Sequence, residues 1–317
     1  MMVRSLLAAL LFLFVAATPC AAADRSPDQI FKLWPAAMPG SGGASGPEKI
    51  GKDGSATGAV SNVTTPRMEI YRPKNPNGAA VLVIGGGGYF RIQIGSAAVP
   101  TARWLAARGV TAVVLYYRLP GDGWNSDAPF QDGQRAMRLL RANAERLQID
   151  PRRIGVIGFS AGGHLAGILA TRGAHDFYPP ADIADRVSAV PDFAGLIYPV
   201  VSMRAPIDTT RTARYVSKLP DWRDAYSVEA QVTAATPPIF LAHAIDDPIA
   251  AVAHSQRLAD AMEAAKRPVE LHLFERGGHS WGLGKPGDPV AAWPRLFASW
   301  ARANGWLPAK KAADAAD

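Results

Sequence analysis

From residue 62 onward, short apolar runs alternate with longer segments in which apolar residues recur every three or four positions. Short β-branched runs are typical of buried strands, and the longer repeat is typical of amphipathic helices. Strands that alternate with helices predict an α/β fold, in which a mostly parallel central sheet is covered by helices on both faces. The predicted strands are 68–71, 79–84, 110–117, 153–157, 193–197, 238–242 and 269–274, and the predicted helices are 96–107, 127–147, the segment after 160, 252–265 and 291–304.

The first 23 residues have the pattern of an export signal. Arg4 precedes an apolar stretch that is too short to span a bilayer, and Ala21-Ala22-Ala23 provides a small-residue cleavage site. Residues 1–23 are therefore predicted to be a cleaved signal peptide of a periplasmic or secreted protein, which then has no stable membrane insertion. Cys20, the single cysteine, would leave with it, which excludes a disulfide, a cysteine nucleophile and a thiolate metal site.

Two further segments interrupt the strand–helix alternation. Residues 24–61 are rich in glycine and polar residues, and they are predicted to form an N-terminal strap that Trp34 and Met38 attach to the body. Residues 199–231 lack a clean period and carry several arginines and one tryptophan, which predicts a lid-like insert over a site. The remaining chain, 62–317, has the size of one large α/β domain.

The net charge of +7 does not by itself exclude any class of function. A basic balance could favour acidic polysaccharides or envelope surfaces, although a generic basic exported protein is the simpler interpretation. No dense run of lysine and arginine with interleaved aromatics occurs, so a nucleic-acid partner is not expected. Asp132 and Arg135, one turn apart on a predicted helix, predict a structural ion pair.

A candidate nucleophile lies at the junction of a predicted strand and helix, in Gly158-Phe159-Ser160-Ala161-Gly162. A serine on such a corner adopts a strained backbone conformation, and the flanking glycines are required because a Cβ would collide with neighbouring elements. The hydroxyl is then held out of the sheet, beside the free N–H groups of a helix N-terminus that favour developing negative charge. We therefore predict that Ser160 is a nucleophile.

A serine nucleophile needs a base, and the sequence offers six histidines. His279 follows a predicted strand directly, in a glycine-rich loop where an exposed imidazole would lie at the carboxyl edge of the sheet, so it is the predicted base. His164 lies one turn after Ser160 on the same helix and is predicted to pack or cap. The remaining histidines are predicted to be structural or solvated: His175, His243, His254 and His272.

The acid that orients the base is expected between Ser160 and His279 in the chain, because this fold orders its triad in that way. Asp246 and Asp247 follow the predicted strand 238–242, and either could hold the imidazole. We favour Asp247. Paired aspartates also bind metals, but no nearby histidine spacing completes such a site, so neither a metal nor an organic cofactor is predicted.

Four consecutive glycines, 85–88, follow the predicted strand 79–84. They allow a sharp turn that points N–H groups into a cavity, and we favour an oxyanion hole over a flexible turn. A phosphate loop is disfavoured because the lysine and the serine or threonine of such loops are missing. Tyr89 and Trp281, together with the insert, are candidates for a substrate-facing wall, and aromatic packing in the core is the alternative interpretation.

Seven motifs occur along the chain in one order. They are Gly86-Gly87-Gly88-Tyr89, Tyr117-Arg118-Leu119-Pro120, Asp132-x-x-Arg135-Ala136, Gly158-Phe159-Ser160-Ala161-Gly162-Gly163-His164-Leu165-Ala166, Tyr198-Pro199, His243-Ala244-x-Asp246-Asp247 and Gly277-Gly278-His279. In this order the chain resembles the exported α/β-hydrolase esterases that are related to bacterial acetylxylan and feruloyl esterases. The resemblance extends from about Trp34 to the last predicted helix.

The resemblance implies an α/β-hydrolase catalytic domain over 62–317 and a role for each site residue. It implies that Ser160 is the nucleophile, Asp247 the acid and His279 the base. The oxyanion hole would be formed by the backbone N–H groups of Ala161 and of Gly87 or Gly88. Gly85 departs from the related lipases and esterases, which usually carry histidine or proline there.

The expected function is that of a serine carboxylic-ester hydrolase, with acetylated xylan or a related acetylated polysaccharide or oligosaccharide as substrate. Feruloyl or general short-chain ester hydrolysis is an alternative within the same chemistry. A peptidase of the prolyl-oligopeptidase type uses the same triad order, but the chain has neither propeller repeats nor room for them. A non-catalytic binding protein of the same fold is a third alternative, which a full set of triad residues disfavours.

Overall fold

The computed structural model describes residues 26–51 and 58–308, and the predicted signal peptide lies outside them. Eleven strands occur in the described residues: β1 (Gln29–Lys32), β2 (Lys49–Gly51), β3 (Ala59–Ser61), β4 (Arg67–Tyr71), β5 (Ala80–Ile84), β6 (Ile92–Gln93), β7 (Thr111–Tyr116), β8 (Ile154–Phe159), β9 (Ala194–Ile197), β10 (Ile239–Ala244) and β11 (Val269–Phe274). Eight of the described strands form the main sheet, in the order β1-β4-β7-β5-β8-β9-β10-β11, and β2, β3 and β6 form a small one.

The main sheet is parallel from β7 to β11, and β4 and β1 add two antiparallel strands at one end. The central strands β5 and β8 are buried at every residue, because a parallel sheet covered on both faces requires continuous apolar runs. Strand β11, at the opposite edge from β1, is partly exposed at every residue. The predicted α/β class, with its mostly parallel sheet, is confirmed.

Eight α-helices occur in the described residues: α1 (Val99–Ala106), α2 (Ala128–Ala142), α3 (Ala144–Leu147), α4 (Ala161–Arg172), α5 (Arg211–Val216), α6 (Trp222–Ala225), α7 (Ala253–Ala264) and α8 (Trp293–Ala303). Helix α1 packs with α8, and α2 packs with α4. The helix predicted over 127–147 is interrupted at Asn143. Its side-chain amide donates to the Leu139 carbonyl and caps α2, so α3 begins as a separate turn.

The segment predicted as a strap contributes β1 to the main sheet. Strand β1 has four residues that alternate between half-buried and exposed, so its apolar pattern was too weak to predict a strand. Trp34 is buried, and its indole N–H donates to Asp132 at 2.8 Å, which confirms its predicted attachment to the body. Met38 is half-buried and packs against the same core.

The predicted ion pair between Asp132 and Arg135 is wrong, because each residue has a different partner. Asp132 pairs with Arg118 at 2.8 Å, and both side chains are fully buried. Arg135 pairs with Asp185 at 2.9 Å. A buried guanidinium needs acceptors for several N–H groups at once, and carboxylates from other segments meet that need better than a single neighbour one turn away.

Replacing Asp132 with alanine is expected to lower the free energy of unfolding by about 3–5 kcal/mol, because it leaves the buried Arg118 charge without a carboxylate. Urea denaturation followed by circular dichroism measures this loss. Asp224→Ala is the matched control, since Asp224 pairs with Arg204 at the surface, where such pairs contribute about 0–1 kcal/mol. Equal losses in the two variants would contradict the structural importance of the buried pair.

Residues 199–231, predicted as a lid-like insert, connect β9 to β10 and contain α5, α6 and a 3₁₀ turn, Val228–Gln231. Within the described residues, no helix has the length and apolar character needed to cross a bilayer.

Candidate active site

Ser160 occupies the sharp turn between β8 and α4, with φ 53° and ψ −118°. Such a positive φ is strained for a residue with a side chain. A Cβ on Gly158 would lie 2.1 Å from the Gly162 carbonyl oxygen, and a Cβ on Gly162 would lie 2.3 Å from that of Ile84. Both glycines are therefore required by close backbone approach, as the sequence predicts.

The structure brings Ser160, His279 and Asp247 together. The His279 Nε2 atom lies 2.8 Å from the Ser160 hydroxyl, and its Nδ1 atom lies 2.6 Å from Asp247 Oδ2. The three residues follow β8, β11 and β10, whose carboxyl ends meet at one edge of the parallel sheet. A hydroxyl, an imidazole and a carboxylate in this order allow the imidazole to remove the hydroxyl proton and the carboxylate to stabilise the resulting charge.

The Asp247 carboxylate is buried and held on both oxygens. Its Oδ1 atom accepts the N–H groups of Ile249 and Ala250 at 2.8 and 2.9 Å, and its Oδ2 atom contacts His279 and His243. Burial by itself would disfavour the charged form. Hydrogen bonds from His243 and His279 outweigh it and hold the Asp247 pKa well below its usual range, so the carboxylate is ionised at neutral pH.

Asp246, the other candidate acid, is exposed and accepts the Gly278 N–H at 2.8 Å. This bond tethers the loop that carries His279, but it does not involve the imidazole. Of the two candidate aspartates, Asp247 is the one whose carboxylate the structure places against His279.

Two of the remaining histidines fill structural positions next to the site. His164 is buried, its Nδ1 atom lies 2.9 Å from the Tyr89 hydroxyl, and its Nε2 atom donates to the Tyr226 carbonyl. Burial lowers the His164 pKa to about 4 against the raising effect of that carbonyl, so the ring is neutral at physiological pH. His243 lies at the acid loop and donates to the Ala250 carbonyl. The predicted structural roles of His164 and His243 are confirmed.

The Ser160 hydroxyl faces a cavity of about 600 Å³. The lining comes from the glycine loop and β6, the insert, the loop after β10 and the His279 loop. It includes Gly87, Gly88, Phe90, Arg91, Gln93, Val200, Thr209, Thr210, Arg211, Thr212, Arg214, Pro248, Ile249 and Ser280. The insert therefore borders the site, and the arginines that it contributes were missed as site residues. Their sequence signal was the arginine-rich character of the insert.

The predicted oxyanion glycines Gly87 and Gly88 line this cavity with φ values of 129° and 60°, which favour glycine. Ala161 is the first residue of α4, so its N–H has no acceptor within the helix. Gly86, which was not predicted as a donor, lets the loop approach the nucleophile, since a Cβ there would lie 2.9 Å from the Ser160 Cβ.

Tyr89 and Trp281 do not line the cavity, which corrects their prediction as substrate-facing residues. The positive φ of Tyr89, 61°, turns its side chain into the core, where it is fully buried against His164. Trp281 packs edge-on against Tyr198 with ring centres 4.5 Å apart. Core packing, the alternative interpretation, describes both residues.

Between residues 26 and 308, leaving aside 52–57, no group of three or more histidine, cysteine, aspartate and glutamate side chains has a spacing suited to a metal ion.

A mostly parallel sheet that carries a serine on a strand-to-helix turn, with the histidine and the aspartate on later loops at the same edge, defines the α/β-hydrolase class. Residues 68–262 match the BD-FAE family, which is more than half of the chain. The chain belongs to the BD-FAE family, and the resemblance to α/β-hydrolase esterases is confirmed.

Individual relatives agree with this membership. An acetylxylan esterase of Xylanibacter ruminicola is 28% identical over 226 residues, which is 69% of this chain and 44% of that protein. The acetyl ester-xyloside bifunctional hydrolase of Caldicellulosiruptor lactoaceticus is 35% identical with a TM-score of 0.70, covering 77% of this chain and 90% of its own. The propionate-bound esterase Est2 of Thermogutta terrifontis is 25% identical with a TM-score of 0.68, and the match covers 85% of this chain and 97% of that esterase chain. The chain spans less than half the length of the curated relatives that it matches.

Proposed function

We propose that this protein is a serine-dependent carboxylic-ester hydrolase that removes small acyl groups, acetyl first, from xylan or a related carbohydrate. The observation that carries the proposal is the continuous hydrogen-bonded chain from the Ser160 hydroxyl through His279 to Asp247, with separations of 2.8 and 2.6 Å. At its Ser160 end, this series of hydrogen bonds reaches a cavity that is open to a substrate.

In the proposed reaction, the Ser160 hydroxyl attacks the ester carbonyl while His279 Nε2 takes its proton. The tetrahedral intermediate collapses, the C–O bond to the alcohol breaks, and His279 returns the proton to the departing alkoxide. His279 then takes a proton from a water molecule, which attacks the carbonyl of the acyl-enzyme. The C–O bond to Ser160 breaks, His279 returns the proton to the serine oxygen, and the acid leaves. Asp247 remains ionised throughout and stabilises the transient imidazolium.

The proposed oxyanion hole combines the N–H group of Ala161 with that of Gly87 or Gly88. These groups belong to the helix N-terminus and the glycine loop that flank Ser160. Backbone donors are fixed before the reaction, and one such donor contributes about 3 kcal/mol of transition-state stabilisation. Gly85, where the related enzymes usually carry histidine or proline, does not line the cavity, whereas Gly87 and Gly88 do.

Two relatives support the choice of substrate. One is named an acetylxylan esterase and one an acetyl ester-xyloside hydrolase, which favours an acetyl ester on a xylose-containing carbohydrate. The propionate bound to Est2 favours a short acyl group within a similar fold. Feruloyl or general short-chain ester hydrolysis remains the second candidate, because the triad acts on the ester and not on the acyl chain.

The test is release of acetate from acetylated xylan against release of ferulate from feruloylated arabinoxylan, each with Ser160→Ala beside the wild type. We expect acetate release that disappears in the variant. Hydrolysis of short aryl esters through Ser160, without release of either acid, would retain the esterase and contradict the glycan substrate. Absence of hydrolysis of every ester by the wild type would support the non-catalytic binding protein instead.

A further inference from the structure

The cavity that contains Ser160 is strongly cationic. Three arginines line it, Arg91, Arg211 and Arg214, and the described part of its lining includes neither aspartate nor glutamate. We call these three residues the arginine wall. A neutral acetyl ester needs no such charge, so the arginine wall points to a further group on the substrate.

The arginine wall begins next to the proposed oxyanion loop. A Cβ on Gly88 would lie 3.3 Å from the Arg211 Cβ, so Arg211 packs directly against this loop. The guanidinium groups of Arg211 and Arg91 lie 4.1 and 4.8 Å from the centre of the Phe90 ring, so one aromatic ring holds two cations. Burial, and then repulsion from Arg211, lower the Arg91 pKa, as expected where like charges are held together.

Arg211 and Arg214 differ from the buried arginines of the core. Arg118 and Arg135 are each paired with an aspartate within 3 Å. Among the described residues, Arg211 and Arg214 have no carboxylate within ion-pair distance, and both are exposed to solvent. Their N–H groups are therefore accessible to a ligand, and arginine favours carboxylates because its planar fork matches both oxygens.

The positive charge also continues away from Ser160. Arg211 and Arg214 lie three residues apart on α5, and they also line a neighbouring cavity of about 260 Å³ together with Tyr215 and Lys218. This cationic strip extends from the oxyanion loop to the outer surface of the insert. A short acyl group occupies only its beginning, whereas the sugar chain of a glycan ester is long enough to follow it.

We infer that the natural substrate is an acetylated oligosaccharide that also carries a uronic acid, whose carboxylate binds Arg211 and Arg214. The inference rests on the proposed function, since it names the carbohydrate on which the ester is carried. Uronic acid units supply fixed negative charge in plant cell-wall glycans, and a carboxylate near α5 would offset the positive charge of Arg211 and Arg214.

The experiment compares kcat/KM for two acetylated xylo-oligosaccharides of equal length, one with a uronic acid branch and one without. We expect the wild type to prefer the acidic substrate at least tenfold, and the preference to fall as ionic strength rises. In the double variant Arg211→Gln/Arg214→Gln the preference should fall to about one. Arg223→Gln, an exposed arginine on α6 outside both cavities, is the matched control and should retain the full preference.

Three results would overturn the inference. Equal kcat/KM for the two oligosaccharides in the wild type would overturn it while leaving the proposed function intact. A preference that survives in the double variant, with an unchanged thermal unfolding midpoint, would remove the role of Arg211 and Arg214. If the wild type cleaves 4-nitrophenyl acetate but neither oligosaccharide, the glycan part of the proposed function is overturned, and the inference with it.

A further arm distinguishes the sugar side from the acyl side of the ester. The substrates are 4-nitrophenyl butyrate and the 4-nitrophenyl half-ester of succinic acid, which differ in a terminal carboxylate on the acyl group. We expect no preference for the half-ester that depends on Arg211 and Arg214, because a short acyl group occupies only the beginning of the cationic strip. A preference for the half-ester that disappears in Arg211→Gln/Arg214→Gln would place the carboxylate on the acyl group and overturn the sugar-side assignment.

Discussion

Replacing Ser160 with alanine is expected to lower kcat for 4-nitrophenyl acetate by about 10⁵-fold, because the proposed covalent acyl-enzyme cannot form. The hydroxyl is the atom that His279 Nε2 contacts at 2.8 Å, and the turn that presents it is already strained in the folded protein. The small residual rate would come from the oxyanion donors and from binding. Initial rates at saturating ester, with purified protein, measure the effect.

Ser299→Ala is the matched control for this substitution. Ser299 is exposed on α8 and lies outside the cavity, so its loss should leave kcat within about twofold. A fluorophosphonate, which labels activated serines, should add one adduct to the wild type and none to Ser160→Ala, as measured by intact mass. A Ser160→Ala variant that retains a tenth of the wild-type kcat would show that another residue is the nucleophile.

Replacing Asp247 with asparagine is expected to lower kcat by about 10⁴-fold while KM changes little. Two backbone N–H groups, from Ile249 and Ala250, occupy the side of the carboxylate away from the imidazole. The asparagine oxygen should take that side, because it alone can accept those bonds, so the amide NH₂ would face His279. The imidazole would then accept at Nδ1 and carry its proton on Nε2, where it cannot remove the Ser160 proton.

Asp246→Asn separates this effect from a general loss of charge in the acid loop. Asp246 is exposed, and asparagine retains an oxygen that accepts the Gly278 N–H, so kcat should stay within about twofold of the wild type. Steady-state rates of the two variants, measured beside their urea unfolding curves, decide the assignment. A large loss in Asp246→Asn with a small loss in Asp247→Asn would reverse the proposed acid.

The sequence contained enough information to predict the central sheet and the positions of Ser160 and His279. Both residues belong to local glycine-rich motifs that follow a clear apolar strand, so short-range chemistry restricts where they lie. Asp246 and Asp247 are harder to distinguish, because they are neighbours in one loop. The choice depends on which carboxylate the N–H groups of Ile249 and Ala250 hold in place, and that is a property of the folded turn.

Other features depended on tertiary structure that no local pattern encodes. Tyr89 follows a glycine run whose flexible backbone could direct its side chain into the cavity or into the core. In the structure its backbone has a positive φ of 61°, and its side chain lies in the core. Asp132 and Arg135 are close in sequence, but Arg118 and Asp185 from other segments give each of them a better partner. Strand β1 is too short and too weakly apolar to be distinguished from a loop until it pairs with β4.

The position of His279 after the edge strand has a consequence for heat sensitivity. Strand β8, which leads to Ser160, is buried between two neighbours, whereas β11, which leads to His279, pairs with β10 alone in the described sheet. Local opening costs less free energy at such an edge than in the centre of a sheet. The backbone amides of β11 should therefore exchange with deuterium faster than those of β8. Ester hydrolysis should disappear at temperatures where most of the sheet is still folded, because the imidazole separates from a hydroxyl that has not moved.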